Sequence, residues 1–192
     1  MTNQLKTYLL DYFNFDSNDD ELLEKYFVIK KYKKKDFLIQ ENTKSSDFFL
    51  ILEGYVRTFH ISEQGEEITT EILENGELVC SMYSLLKNEK TFENSQCIGD
   101  CLVCIISEKT FEKLCTENPQ WFQLGMKFLK NDILKKEERI RGFSKLKANE
   151  RYQKLISEKP NIIQNVPIIY IASYLGIKPE SLSRLRSQTI IS

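Results

Sequence analysis

Gly54, Gly65 and Gly76 stand eleven residues apart, and the runs around them from Phe27 onward are rich in Val, Ile, Phe, Tyr and Thr. Glycines at such a spacing mark chain reversals, and β-branched and aromatic residues favour strands. The stretch therefore predicts an antiparallel sandwich or roll built from short hairpins. The run from Lys30 to Lys35 falls inside it and predicts a solvated edge, because lysine discourages pairing with other chains. Ahead of it, Leu5, Leu9, Leu10, Phe13, Leu22, Leu23 and Tyr26 surround the polar DSNDDE and predict short helices about a capped turn. At Thr110 the period becomes helical. Strands first and helices afterwards place the chain in the α+β class.

Asn118 followed by Pro119 supplies a cap and a first-turn proline. From there Phe122, Met126, Leu129, Ile133, Ile140 and Phe143 recur at steps of four, three, four, seven and three, interrupted at Lys136. Such a stripe suits either two helices zipped side by side or packing on the chain's own sheet; the zipped homodimer is the reading adopted. Gly142 is expected to loosen or end the helix. A further helix, Asn149 to Glu158, stops before Pro160, and NIIQNVP reads as a connector. The expected division is a roll with flanking helices over 1–117, a dimerisation helix over 118–143 and a terminal domain over 144–192.

The formal net charge of −1 conceals an asymmetry. Residues 1–126 hold 13 Lys and Arg against 22 Asp and Glu, a net of −9, while residues 127–192 hold 14 against 6, a net of +8. A basic final third in an otherwise acidic protein points to a polyanion partner for that third alone. Met1 to Asp11 lack the features of a secretory signal, and no apolar run nears the roughly 18 residues of a membrane span. A cytoplasmic protein without membrane contact is expected. Its five cysteines are expected to be reduced thiols. Cys101 and Cys104 form a C-x-x-C, but three steps along a strand reverse the face, which favours core thiols over a metal or redox pair. His60 is the single histidine, so neither a metal nor another cofactor is expected. Nucleophile, base and orienting group do not recur at related spacing, and an enzyme is not expected.

Pro167 opens a short helix through Leu175, Gly176 breaks it, and a second begins near Pro179 and runs toward Gln188. So short a turn forces a steep crossing, which needs a small residue at the approach, a glycine at the turn and apolar residues inside. Ala172, Gly176 and the set Ile171, Leu175, Ile177, Leu182 and Leu185 meet those needs. Lys178, Glu180, Ser181, Ser183, Arg184 and Ser187 are left outward, donors with one carboxylate and one guanidinium that suit base edges and phosphates in a major groove. A plain helical hairpin would satisfy part of the pattern. Its concurrence in the most basic part of the chain favours a helix-turn-helix.

From about residue 20 onward the chain resembles the bacterial cyclic-AMP receptor (catabolite activator) and fumarate-nitrate regulator family, Crp/Fnr. The likeness rests on FFLILEGYVRTFHISEQGEEI, on NGELV, on the long helix and on IASYLGIKPESLSRLRS. It implies that the N-terminal antiparallel β-roll is a cyclic-nucleotide-binding-like jelly roll, followed by a long dimerisation helix and a C-terminal helix-turn-helix. The family's recognition helix often carries Arg-Glu with a second Arg four residues after the Glu. Here Pro179, Glu180 and Arg184 stand at those places, so the family's usual operator is not expected. Many relatives continue into a β-hairpin wing; this sequence stops at Ser192, and wing contacts are expected to be missing.

In the relatives a cyclic phosphate rests on a short helix N-terminus beside an arginine, with a Glu on the ribose hydroxyl. Gly76 and Glu77 match the start of that segment, but Cys80 replaces its second glycine, Ser81 the ribose-holding Glu, and Thr91 and Phe92 its Arg-Ser pair. Arginine is absent between Arg57 and Arg139, and lysine lacks the forked geometry. The roll is thus expected not to bind cyclic AMP in the usual mode. The same six positions mark where an unidentified small-molecule effector would sit, unless Met82, Tyr83 and Phe92 fill the space, which is the favoured expectation. The implied function is a homodimeric transcription regulator with double-stranded DNA and RNA polymerase as partners. The contrasting reading is a signalling or protein-interaction module that does not bind DNA.

Overall fold

A computed structural model describes residues 5–7, 9 and 20–189; Leu10 and Phe13 of the opening pattern lie outside them. The strands are β1 (Val28–Tyr32), β2 (Phe37–Ile39), β3 (Asp47–Glu53), β4 (Val56–Ile61), β5 (Glu67–Leu73), β6 (Leu78–Val79), β7 (Asn94–Cys97) and β8 (Cys101–Ser107). They form two antiparallel four-stranded sheets ordered β1-β8-β3-β6 and β2-β7-β4-β5. The glycines stand at the reversals. A Cβ on Gly54, whose φ is +104°, would lie 2.7 Å from Cys101 Sγ and 2.8 Å from Asp100 O, so this turn admits only glycine.

Period-two alternation decides what each sheet face covers. On β8, Cys101 and Val103 face the other sheet and pack with Ile51 and Val56, whereas Leu102, Cys104 and Ile106 face helices. The C-x-x-C residues thus point to opposite faces, and all five cysteines are free. The outer face is covered by Leu5 and Leu9, by Leu23 of α1 (Asp20–Tyr26), and by residues of the long helix. Among the described residues β1 lies at a sheet edge and pairs only with β8.

A short helix, α2 (Met82–Lys87), follows β6. The later helical region starts at Glu108, two residues before the expected change of period, because Ser107 Oγ accepts from Thr110 N–H at 3.2 Å and caps α3 (Glu108–Glu117). Asn118 then caps α4 (Pro119–Lys145) by accepting from Gln120 N–H at 3.0 Å. At 27 residues α4 is about 40 Å long. Gly142 does not end it. The helix continues to Lys145, and Leu146 N–H still closes on Gly142 O at 2.9 Å. Mid-helix glycine costs about 1 kcal/mol, and beside it the Arg139 guanidinium lies 4.8 Å from the centre of the Phe143 ring.

The chain ends in a head of four helices, α5 (Ala148–Glu158), α6 (Pro160–Asn165), α7 (Ile168–Leu175) and α8 (Pro179–Thr189). NIIQNVP is more than a connector: Pro160 starts α6, which buries Ile162. Tyr152, Leu155, Ile162, Ile171 and Leu182 pack together with Ile72 and Ile98 of the roll. Head and roll share one core.

Candidate nucleic-acid interface

Gly176 ends α7 in the left-handed region, at φ 65° and ψ 38°, and its N–H closes on Ser173 O at 3.0 Å. Ala172 and Leu182, both fully buried, lie on the two helices that this turn joins. A β-carbon on Gly176 would lie 2.7 Å from the Phe143 ring, so the turn is seated on the end of α4. Arg151 steadies the seat by donating to Leu175 O at 2.8 Å and to Leu146 O at 2.7 Å. Of the outward set, Lys178, Glu180, Ser183, Arg184 and Ser187 are exposed and Ser181 is half-buried. Among the described residues none of Lys178, Glu180 and Arg184 enters an ion pair. Arg186 faces inward and donates to Ile163 O at 2.9 Å. One free guanidinium and one free ammonium therefore project from α8 and its turn.

The roll holds this head through polar contacts on β5, which would otherwise be a bare sheet edge. Thr69 N–H donates to Ser173 Oγ at 2.9 Å, and Ser173 Oγ donates to Glu67 O at 3.2 Å. Arg139 of α4 donates to Thr69 O at 3.1 Å and to Tyr174 O at 3.0 Å. The buried Arg57 guanidinium lies 4.0 Å from the ring centre of Phe59 and 4.0 Å from that of Tyr170 in α7. Glu77, in the β5–β6 turn, pairs with Lys135 of α4 and with Lys159 between α5 and α6. Burial alone would raise its carboxyl, but the two ammonium groups outweigh burial and hold it below the usual carboxylate range.

The seam residues lie on an exposed side of α4, although Phe122, Met126, Leu129 and Phe143 also border the cavity described below. Phe122, Ile133 and Ile140 are 59%, 55% and 71% exposed, joined by Leu134, while Met126 and Leu129 are half-buried. Trp121 and Leu124 on another face are buried in the chain's own core. The helix thus has two apolar faces, one covered and one open. Phe143 belongs only partly to the open one, since its ring also meets Gly176 and the guanidinium groups of Arg139 and Arg151.

A cavity of about 660 Å³ lies between the roll, α2 and α4. Such a volume is ordinary for a small-molecule site. Gly76, Glu77 and Cys80 line it, with Thr58, Thr70, Glu71, Asp132 and Lys136. Ser81, Thr91 and Phe92 do not join them on its wall. Ser81 Oγ caps α2 at Ser84 N–H, Thr91 is buried in backbone bonds with Asn42 and Thr43, and Phe92 is 57% exposed. The expected plug is corrected accordingly. Tyr83 donates to Glu89 at 2.8 Å and stacks edge-on against Phe92, which keeps both rings outside and leaves Met82 alone of the three on the wall. Burial raises the Glu71 carboxyl against the pull of Lys136, and burial pushes the Cys80 thiol up to about 12. Arg139 and Arg151, which also line the cavity, are committed to backbone carbonyls. These residues do not fit a cyclic phosphate held in the relatives' way.

Residues 29–118 match the cyclic nucleotide-binding domain family. Over 185 residues the chain is 25% identical to electron transport regulator A of Shewanella oneidensis, covering 90% of this chain and 73% of that protein. It is 24% identical over 185 residues to the fumarate and nitrate reduction regulatory protein of Vibrio cholerae, covering 89% and 73%. The chain is similar to regulators of the Crp/Fnr type. Its fold is similar to that of FixK2 from Bradyrhizobium japonicum, with a TM-score of 0.73 over 84% of this chain and 83% of that one at 16% identity. Pattern reading did not find Arg57, Arg139, Lys159 or Ser173, whose partners lie far off in sequence. Arg57 alone left a signal, as the one arginine before Arg139.

Proposed function

We propose that this chain is a homodimeric, DNA-binding transcription regulator of the Crp/Fnr family. The observation that carries the reading is the unpaired outward face of α8, set on a tight glycine turn. Arg184 is placed to grip a guanine, Glu180 to accept from a cytosine amino group, and Lys178 to neutralise a phosphate. Two copies joined along Phe122, Met126, Leu129, Ile133 and Ile140 would present two such helices to half-sites about 34–36 Å apart. The cavity of about 660 Å³ is the place for a small-molecule effector other than a cyclic nucleotide bound in the usual mode. An effector acts here by favouring one arrangement of the two heads, since only differential affinity shifts such a balance. Contact with RNA polymerase belongs to the same proposal.

Selection from random-sequence duplex DNA by the purified protein tests the reading. A recovered two-fold operator, bound less tightly as salt rises because phosphate contacts release counterions, is the expected result. Recovery of no sequence, with no low-salt binding to duplex of any kind, would leave the DNA-free interaction module in its place.

A further inference from the structure

We propose that the cavity of about 660 Å³ selects a ligand carrying an ammonium group on an apolar body, with the Glu71 carboxylate as its anchor; the inference rests on the reading of the cavity as an effector site given above. Glu71 of β5 lines the cavity with Thr58 and Thr70, and with Asp132 and Lys136, which stand one turn apart on α4. Among the described residues its carboxylate accepts no hydrogen bond and enters no ion pair. Lys136 pulls on it, yet that ammonium group donates to Asp132 at 2.8 Å. A carboxylate withdrawn from water without a partner costs stability, which is why burial raises its carboxyl. Groups displaced in this way cluster at functional sites, and here the missing partner is a cation.

The surroundings fix the sign of the charge. Glu93, which accepts from Thr70 Oγ1 at 3.3 Å, adds a second negative charge beside Glu71. Three carboxylates, Glu71, Glu93 and Asp132, thus surround one ammonium group, Lys136. Other cations on the wall are engaged elsewhere: Lys135 and Lys159 with Glu77, Lys154 with Glu138 at 3.1 Å, and Arg139 and Arg151 with backbone carbonyls. An anion entering here is repelled, and an ammonium group finds free carboxylate oxygens for its N–H donors. The remaining wall includes Leu73, Val79, Met82, Leu85 and Leu124. An apolar body gains from burial against them, which separates the ligand from a bare cation.

The test uses the full chain and three probes of nearly one shape: phenethylamine, phenethyl alcohol and hydrocinnamate, which are positive, neutral and negative. Calorimetry at neutral pH is expected to show the amine binding about tenfold or more tightly than the alcohol, with no binding of the carboxylate. Glu71→Gln is expected to erase the preference for the amine and to leave the alcohol as in wild type. Lys136→Gln, at an exposed position, removes the competing cation and should tighten the amine. Alcohol or carboxylate bound as well as the amine, or amine affinity untouched by Glu71→Gln, would overturn the anchor and leave the effector reading standing. Binding of none of the three would overturn it too. Operator affinity with and without the amine tests the effector reading separately: an amine held through Glu71 that leaves operator affinity unchanged keeps the anchor and removes the effector role.

Discussion

Lys159 donates to both carboxylate oxygens of Glu77, at 2.9 and 2.7 Å, and so ties the β5–β6 turn of the roll to the head. The same carboxylate pairs with Lys135 on α4. One side chain therefore joins the three parts that a regulator of this architecture has to coordinate.

Glu77→Gln keeps the shape and removes the charge, leaving two ammonium groups without their counter-ion. The expected cost is about 1–3 kcal/mol, seen as a lower melting temperature and faster hydrogen exchange in α6 and α7. Because the folded carboxyl is held below its usual range, its contribution is present above the unfolded value of about 4.3 and is lost as pH falls through the folded one. Wild type and variant should converge in melts at strongly acid pH, and a gap that persists there would contradict the assignment.

Glu71 has the opposite sign. Burial raises its folded carboxyl, so ionised Glu71 costs stability at neutral pH, and the cost fades as pH falls through the raised value. Glu71→Gln is expected to melt higher than wild type at pH 7 and to lose that advantage in acid. Equal melting temperatures at pH 7 would show that Lys136 fully compensates the buried charge.

Ser173→Ala takes the acceptor from the Thr69 amide and uncovers part of the β5 edge. A loss of about 1–3 kcal/mol is expected, with the Thr69 amide exchanging faster than its neighbours on β4. An unchanged rate at Thr69 would mean that water replaces the hydroxyl.

Arg184→Ala should weaken binding by about 1–3 kcal/mol and relax preference at one base pair, whereas Lys178→Ala should weaken all sequences alike and lower the salt slope by about one. Binding titrations against operator point variants separate the two. Intact selectivity in Arg184→Ala would mean that α8 does not enter the groove.

Ile133→Asp should give monomers in light scattering, since it places a charge in the open face of α4 without entering the chain's own core. Leu129 is half-buried, so a charge there would also disturb folding. A dimer that survives Ile133→Asp would move the interface off this helix.

The roll was legible because its signals are local: glycine spacing, alternation and a lysine-rich edge all act within a few residues. The helix-turn-helix was legible for the same reason, its small residue, turn glycine and apolar positions falling between Ile171 and Leu185. What could not be read depends on tertiary placement. Glu77 stands in a pocket motif, yet its carboxylate is taken up by a lysine 82 residues away. Tyr83 and Phe92 read as filling for a cavity, and a bond from Tyr83 to Glu89 turns them outward instead. Phe143 fits the spacing of the seam, and only the folded chain brings its ring to Gly176.

That last meeting restricts how sequences of this kind can diverge. Position 176 is constrained by its positive φ and by an aromatic ring where a β-carbon would go. A bulkier residue there would meet the Phe143 ring unless a smaller one stood at 143, and the positive φ would strain it even then.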